Sequence, residues 1–152
     1  MKEKLTLQAS AVGSLPHNNP NDALDLIFEQ LPNFPIWPQL SKVNPEEDMI
    51  IQFTQNIPGA IFDEADNRWY LDPEKETFYE ELEELYLDYE AIVSEGNLDL
   101  LEKYAINGKF SSSIELYLEK IKTLQPIALK GQITGPFSWG TSLIDREKKC
   151  AF

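Results

Sequence analysis

The chain predicts an α/β fold. Short apolar, strand-like runs alternate with amphipathic helical stretches, and the first two such stretches open on Asn-Pro, a cap followed by a first-turn proline. Strands separated by helices imply parallel pairing, because parallel neighbours need a crossover and the helices cover the sheet faces. Three runs read as parallel strands, near residues 5–12, 34–40 and 127–133.

The first run, "LTLQASAV", ends at Gly13-Ser14 and is followed by Leu15, Pro16 and the chain's single histidine, His17. The helix after it has Asn19 as N-cap, Pro20 in the first turn, and Ala23, Leu24, Ile27, Phe28 and Leu31 as one apolar stripe. The second run, "FPIWPQL", leads into "NPEEDMIIQF", where Asn44 and Pro45 repeat the cap and first turn. "AIFDEADNRWYLD" at 60–72 alternates about a polar turn and reads as a β-hairpin outside the repeat. An acidic helix over about 73–94 follows, with Phe78, Leu82, Leu85, Tyr86 and Tyr89 on one face. Hairpin and acidic helix together form an insertion spanning about 60–110. A further helix starts at Ser112, whose spacing to Glu115 is that of a capping box, and would bury Ile114, Tyr117, Leu118, Ile121 and Leu124. "PIALKGQITGPFSWG" returns to strand, and another helix is expected to begin in "SLIDREKKCAF". Three parallel strands are too few to close a barrel, so the chain reads as the front part of a larger fold.

Bulk properties narrow the function. At 152 residues and 42% hydrophobic composition, one domain with a sizeable core is expected. No apolar run approaches the roughly 20 residues of a membrane span, and the start lacks a secretory signal, so a cytoplasmic, non-membrane protein is expected. The single cysteine, Cys150, makes no internal disulfide. A net charge of −13 argues against nucleic acid, whose phosphates call for clustered Lys and Arg. Residues 63–102 hold 15 acidic side chains against Arg68 and Lys75, which places the whole excess in the insertion. That segment reads as a solvated helix face or as a docking surface for a basic partner.

In parallel α/β folds the loops at the carboxyl ends of strands form the ligand site. "GSLPH" and "QITGPFSWG" both occupy that position. Glycine lets the backbone approach a ligand, and free N–H groups beside the hydroxyls of Ser14 or Thr134 can hold an anion. His17 is open to several roles, as acid-base group, ligand, substrate contact or loop cap. One histidine cannot build a zinc site. Gln39 and Gln132, near strand ends, can each turn an amide into the same mouth or satisfy loop backbone. Dinucleotide, P-loop and nucleophile-elbow patterns are missing from the sequence.

"AVGSLPH", "PIWPQL", the "PG" and "FDE" of the hairpin, and "LKGQITGPFSWG", in this order over residues 8–143, resemble the superfamily of cobalamin-independent methionine synthase and uroporphyrinogen decarboxylase. The methionine-synthase-like branch is the closer likeness. The resemblance implies the amino-terminal portion of a TIM (β/α)8 barrel: residues 1–152 as part of one barrel domain, carrying the hairpin and acidic helical insertion, with the remainder of the barrel absent. It also implies transfer of a methyl group to a thiol activated by zinc. Gly13 and Ser14 would hold the amino-acid part of a small thiol substrate; His17, Gln39, Gln132, Thr134 and Gly135 are placed in the same mouth by position. The family's zinc ligands belong to the carboxyl-terminal half, and nothing in this chain matches them. No catalytic or metal residue is therefore assigned, no cofactor is expected here, and zinc is expected only in a full-length relative. The chain reads as a fragment of such a methyltransferase or as a non-catalytic partial-barrel module. Its exposed sheet edge would then be covered by a second copy or by the missing barrel half.

Overall fold

Asn19 opens the first helix as its side chain dictates. In the computed structural model, which describes residues 8–63, 65–66, 68–106 and 108–150, its Oδ1 accepts the N–H of Asn21 at 2.8 Å and α1 runs over Pro20–Gln30. The remaining elements are a β-hairpin, β1 (Ala60–Asp63) and β2 (Arg68–Leu71), and helices α2 (Phe78–Glu95), α3 (Ile114–Leu124) and α4 (Pro136–Ser142). The fold thus mixes helices with a small sheet. Among the described residues no helix is long and apolar enough to cross a membrane. Two units divide the chain: one holds it up to Gln52 together with Ile106–Ile133, the other holds Phe53–Ala105 and the chain from Thr134.

In the first unit α1 and α3 supply the core. Leu24 and Phe28 pack with Trp37 and Tyr117, and the rings of Phe28 and Tyr117 lie 5.8 Å apart. Among the described residues parallel pairing is present only as isolated bridges, Ser14 with Gln39 and Ile36 with Lys130. This corrects the three continuous strands. Residues 5–7 of the first run lie outside the described residues, and 8–12 form no strand. The middle run contains Pro35 and Pro38, which have no N–H to give a ladder. Trp37 sends its N–H to Lys130 O and Gln39, two residues on, sends its own to Gly13 O. A regular strand would turn both N–H groups the same way, so the segment switches partners across Pro38 and cannot extend either ladder.

The second Asn-Pro junction also departs from expectation. Asn44 does cap Glu46 N at 3.1 Å, but the chain makes only 3-10 turns at Pro45–Glu47 and Ile51–Phe53. Asp48 Oδ1 captures the N–H of Ile50 at 2.9 Å, a local bond that competes with helical pairing. At α3 the capping box does not form. Ser112 N donates to Glu47, Ser113 Oγ donates to Pro38 O, and Ser113 stands at the N-cap without a side-chain cap bond. Tyr117 is buried as expected, whereas Leu118 and Leu124 are exposed.

In the second unit the hairpin forms in the expected place, with Ala60 opposite Leu71 and Asp63 opposite Arg68. Gly59 enters it at φ +77, and a Cβ there would lie 2.8 Å from Asp72 O, so glycine is required. The acidic helix begins at Phe78, after turns at 73–77, and ends at Gly96 in the left-handed region. None of its residues is fully buried, and Leu82, Tyr86 and Tyr89 of the expected apolar face are exposed. A 3-10 stretch, Leu98–Tyr104, returns along it and is held by Lys103, which bonds Glu84 at 2.6 Å and Asp88 at 2.8 Å. Beyond α4, "SLIDREKK" does not start a helix. It turns back through an Ile144–Cys150 antiparallel bridge, and the Arg68 guanidinium donates to Arg146 O at 3.0 Å.

Candidate functional site

Gly13 sits where two backbones nearly touch. A Cβ at this position would meet Trp37 O at 2.5 Å, closer than any side chain tolerates, so only glycine lets the first parallel segment lie beside the second. The approach is fixed by two bonds, Gln39 N to Gly13 O at 2.8 Å and Leu15 N to Gln39 O at 3.2 Å. Ser14, paired with Gln39 between them, is exposed at the surface.

Gln39, the bridge partner of Ser14, is 2% exposed. Its Nε2 donates to Gln52 Oε1 at 2.7 Å, and Gln52 Nε2 donates to Phe110 O. Because Phe110 offers a carbonyl, which only accepts, both amides have a fixed orientation. Gln39 Oε1 is thereby left as a buried acceptor with no hydrogen-bond partner. Buried carbonyl oxygens are rarely left so. His17, half-buried two residues beyond Leu15, likewise has a buried Nδ1 without a partner.

Buried side-chain hydrogen bonds tie the 35–40 segment to its neighbours. Glu47, fully buried, accepts Leu40 N on Oε2 at 3.0 Å and Ser112 N on Oε1 at 2.7 Å. Trp37 Nε1 donates to Ser111 Oγ at 2.9 Å, and the Tyr117 hydroxyl, its pKa pushed up by burial, donates to Pro35 O at 3.2 Å. The carbonyls of Pro35 and Pro38 therefore find side-chain donors from the 111–117 segment.

Of the residues expected in the mouth, Gly13, Ser14 and Gln39 are brought together. Gln132 is half-buried in the same unit, two residues past the Lys130 bridge. Thr134 and Gly135 belong to the second unit, where Gly135 caps α4 and accepts Trp139 N at 2.9 Å. Gln52 and Glu47 escaped the sequence reading. Gln52 has a detectable signal, a lone amide inside the apolar run "MIIQF"; Glu47 has none, being one of three consecutive acids. Among the described residues no three His, Cys, Asp or Glu side chains stand together to hold a metal ion. What the described residues at Gly13, Ser14 and Gln39 offer is hydrogen bonding.

Comparison with known protein families, with curated proteins and with solved structures finds no match to this chain.

Proposed function

We propose that the first unit is the amino-terminal part of a methionine-synthase-like TIM barrel. In this reading its Gly13-Ser14 turn and Gln39 contribute part of the pocket for a small thiol amino acid that accepts a methyl group. The reading rests on two observations: the Gly13-Ser14 turn pairs with Gln39 across two parallel segments, and Gln39 Oε1 is buried without a hydrogen-bond partner. An ammonium group donates to such an acceptor, while the Ser14 hydroxyl donates to the carboxylate end of the same molecule. The role of this chain is binding and orientation; zinc, which activates the thiol in the family it resembles, belongs to residues outside it. The order of the parallel segments, with 36–39 between 13–15 and 128–130, agrees with strands laid down in sequence as in a barrel. A cytoplasmic setting is part of the same proposal.

The test is a calorimetric titration with L-homocysteine of the wild-type chain and Ser14→Ala, alongside melting curves. A charge-assisted hydrogen bond contributes on the order of 1.5–3 kcal/mol, so the substitution should weaken binding roughly 10- to 150-fold. Melting should stay unchanged, because the Ser14 side chain is at the surface. Equal affinities would return "GSLPH" to the status of a structural turn.

One observation favours a second reading, a partial-barrel assembly module. Val12, Ile127, Leu129 and Ile133, on or beside the outer parallel segments, are all exposed. Such apolar side chains are normally covered by further strands. Further barrel strands or a second copy would supply them.

A further inference from the structure

Helix α2 carries a feature that the substrate reading does not use. Tyr79, Leu82, Tyr86, Tyr89 and Val93 recur at steps of three and four residues, and each is between 44% and 77% exposed. This is the a/d periodicity of a helix-pairing seam, continuous along almost the whole helix and uncovered. The helix turns a different stripe, Phe78, Leu85 and Ile92, toward its own unit, where these residues are half-buried. The exposed seam is therefore a second apolar face, more than α2 needs to hold its place.

At its amino-terminal end the seam runs into a cavity of about 690 Å³, lined by Leu82 itself with Phe78, Leu85, Leu71, Pro58 and Trp139. The lining of that cavity also has four carboxylates, Asp72, Glu74, Asp145 and Glu147, against the single guanidinium of Arg146. Along the seam the flanking positions that follow Leu82 and Tyr89 are Glu83 and Glu90, both exposed, and Glu90 already orients the Tyr86 hydroxyl at 3.2 Å. Apolar centre and acidic border coincide. A second copy of α2 would bring another strongly acidic segment against this border, like charge on like charge.

We propose that α2 is a docking face for an amphipathic helix of another protein. The partner's apolar residues lie in the 79–82–86–89–93 seam, one bulky side chain enters the cavity beside Leu82, and Lys or Arg at its flanking positions face Glu83, Glu90 and the cavity's carboxylates. Spacing sets the partner's conformation, and the carboxylates set its charge. The site does not involve the residues at Ser14 and lies wholly in the second unit.

The experiment uses the full chain and a fluorescent synthetic helix of about three heptads, with Leu at a and d and Lys at the flanking positions. Two controls accompany it: a peptide of the same composition with the a/d order scrambled, and one with Glu in place of Lys. Fluorescence anisotropy should give an affinity for the periodic Lys peptide at least about 10-fold above either control, falling as salt rises. Tyr86→Ser with Tyr89→Ser should remove at least about 10-fold of it with helical circular dichroism unchanged, since both side chains are exposed. Glu83→Lys with Glu90→Lys keeps the seam and should transfer the preference to the Glu peptide, which covers the case in which the tyrosine variant loses structure. Equal binding of periodic and scrambled peptides, no transfer of preference, or no binding at all would overturn the proposal. Self-association of the chain that the tyrosine variant abolishes would overturn it too, by making a second copy the occupant.

Discussion

At the scale of single residues, Gly13 and Glu81 report on the two units separately. Gly13→Ala forces a Cβ to within 2.5 Å of Trp37 O, a backbone atom that cannot rotate away, whereas a Cβ at Gly131 would meet nothing within 4 Å. Overpacking of this kind costs about 1–3 kcal/mol. Gly13→Ala should therefore lower the denaturant midpoint clearly and Gly131→Ala should leave it nearly unchanged; equal effects would mean that the first two parallel segments are not in contact. Glu81 accepts bonds from Lys75, Gly59 N and the Thr77 hydroxyl, and these, Lys75 foremost, lower its pKa from 4.5 to about 2. A carboxyl with a lower pKa when folded favours folding where it is ionised, above 4.5, and that contribution fades as the pH falls through about 2. Glu81→Gln should thus melt below the wild type at pH 7, with the two curves converging as the pH is lowered across that window. A gap that is the same at both ends would show that the ion pair is not what Glu81 supplies. Of these residues, Gly13 was legible in the sequence because a glycine at a strand end has few uses. Glu81 was not, since it is one acid among many and only the fold selects it for Gly59.

At the scale of elements, the proline-rich segment 35–40 explains both what sequence reasoning reached and what it missed. Its apolar content and neighbours predicted a buried parallel segment, and residues 35–40 are all buried. The prolines, visible in the sequence, remove two donors, but the switch of partner across Pro38 depends on which neighbours are present, and that is tertiary information. The same holds for "SSS" at 111–113. Spacing suggested a capping box, yet tertiary acceptors at Pro38 and Glu47 outcompete the local cap. Glu47 is the clamp of this element. Glu47→Gln would keep one acceptor and set an NH₂ group against a backbone N–H, leaving a buried donor unsatisfied at a cost of about 1–3 kcal/mol. Chemical denaturation should show that loss; a change within about 0.5 kcal/mol, typical of surface positions, would contradict the clamp. For α2 the helical period was legible, but not the exposure of its face, because periodicity gives an apolar stripe without saying whether the chain itself covers it.

At the scale of the whole molecule, the sequence separates into chemically different parts that the structure keeps in different units. The hydrogen-bonded group at Gly13, Ser14 and Gln39 lies in one, and the acidic segment 63–102 with its exposed helix in the other. The alternation of runs and helices correctly indicated parallel neighbours, and the ordered positions of Ser14 and Gln39 follow from it. Gln52, which fixes the orientation of Gln39, comes from a 3-10 turn that the pattern presented as helix. The central claim is that Ser14 and the unpartnered Gln39 Oε1 form the receiving end of a small amino-acid pocket. The most direct measurement is a titration of the ¹⁵N-labelled chain with L-homocysteine, followed by amide chemical shifts. Saturable shifts confined to the backbone amides of Gly13, Ser14 and Leu15 and the side-chain amides of Gln39 and Gln52 are the expected result. No saturable shift at any of these groups, or shifts centred elsewhere, would contradict the account.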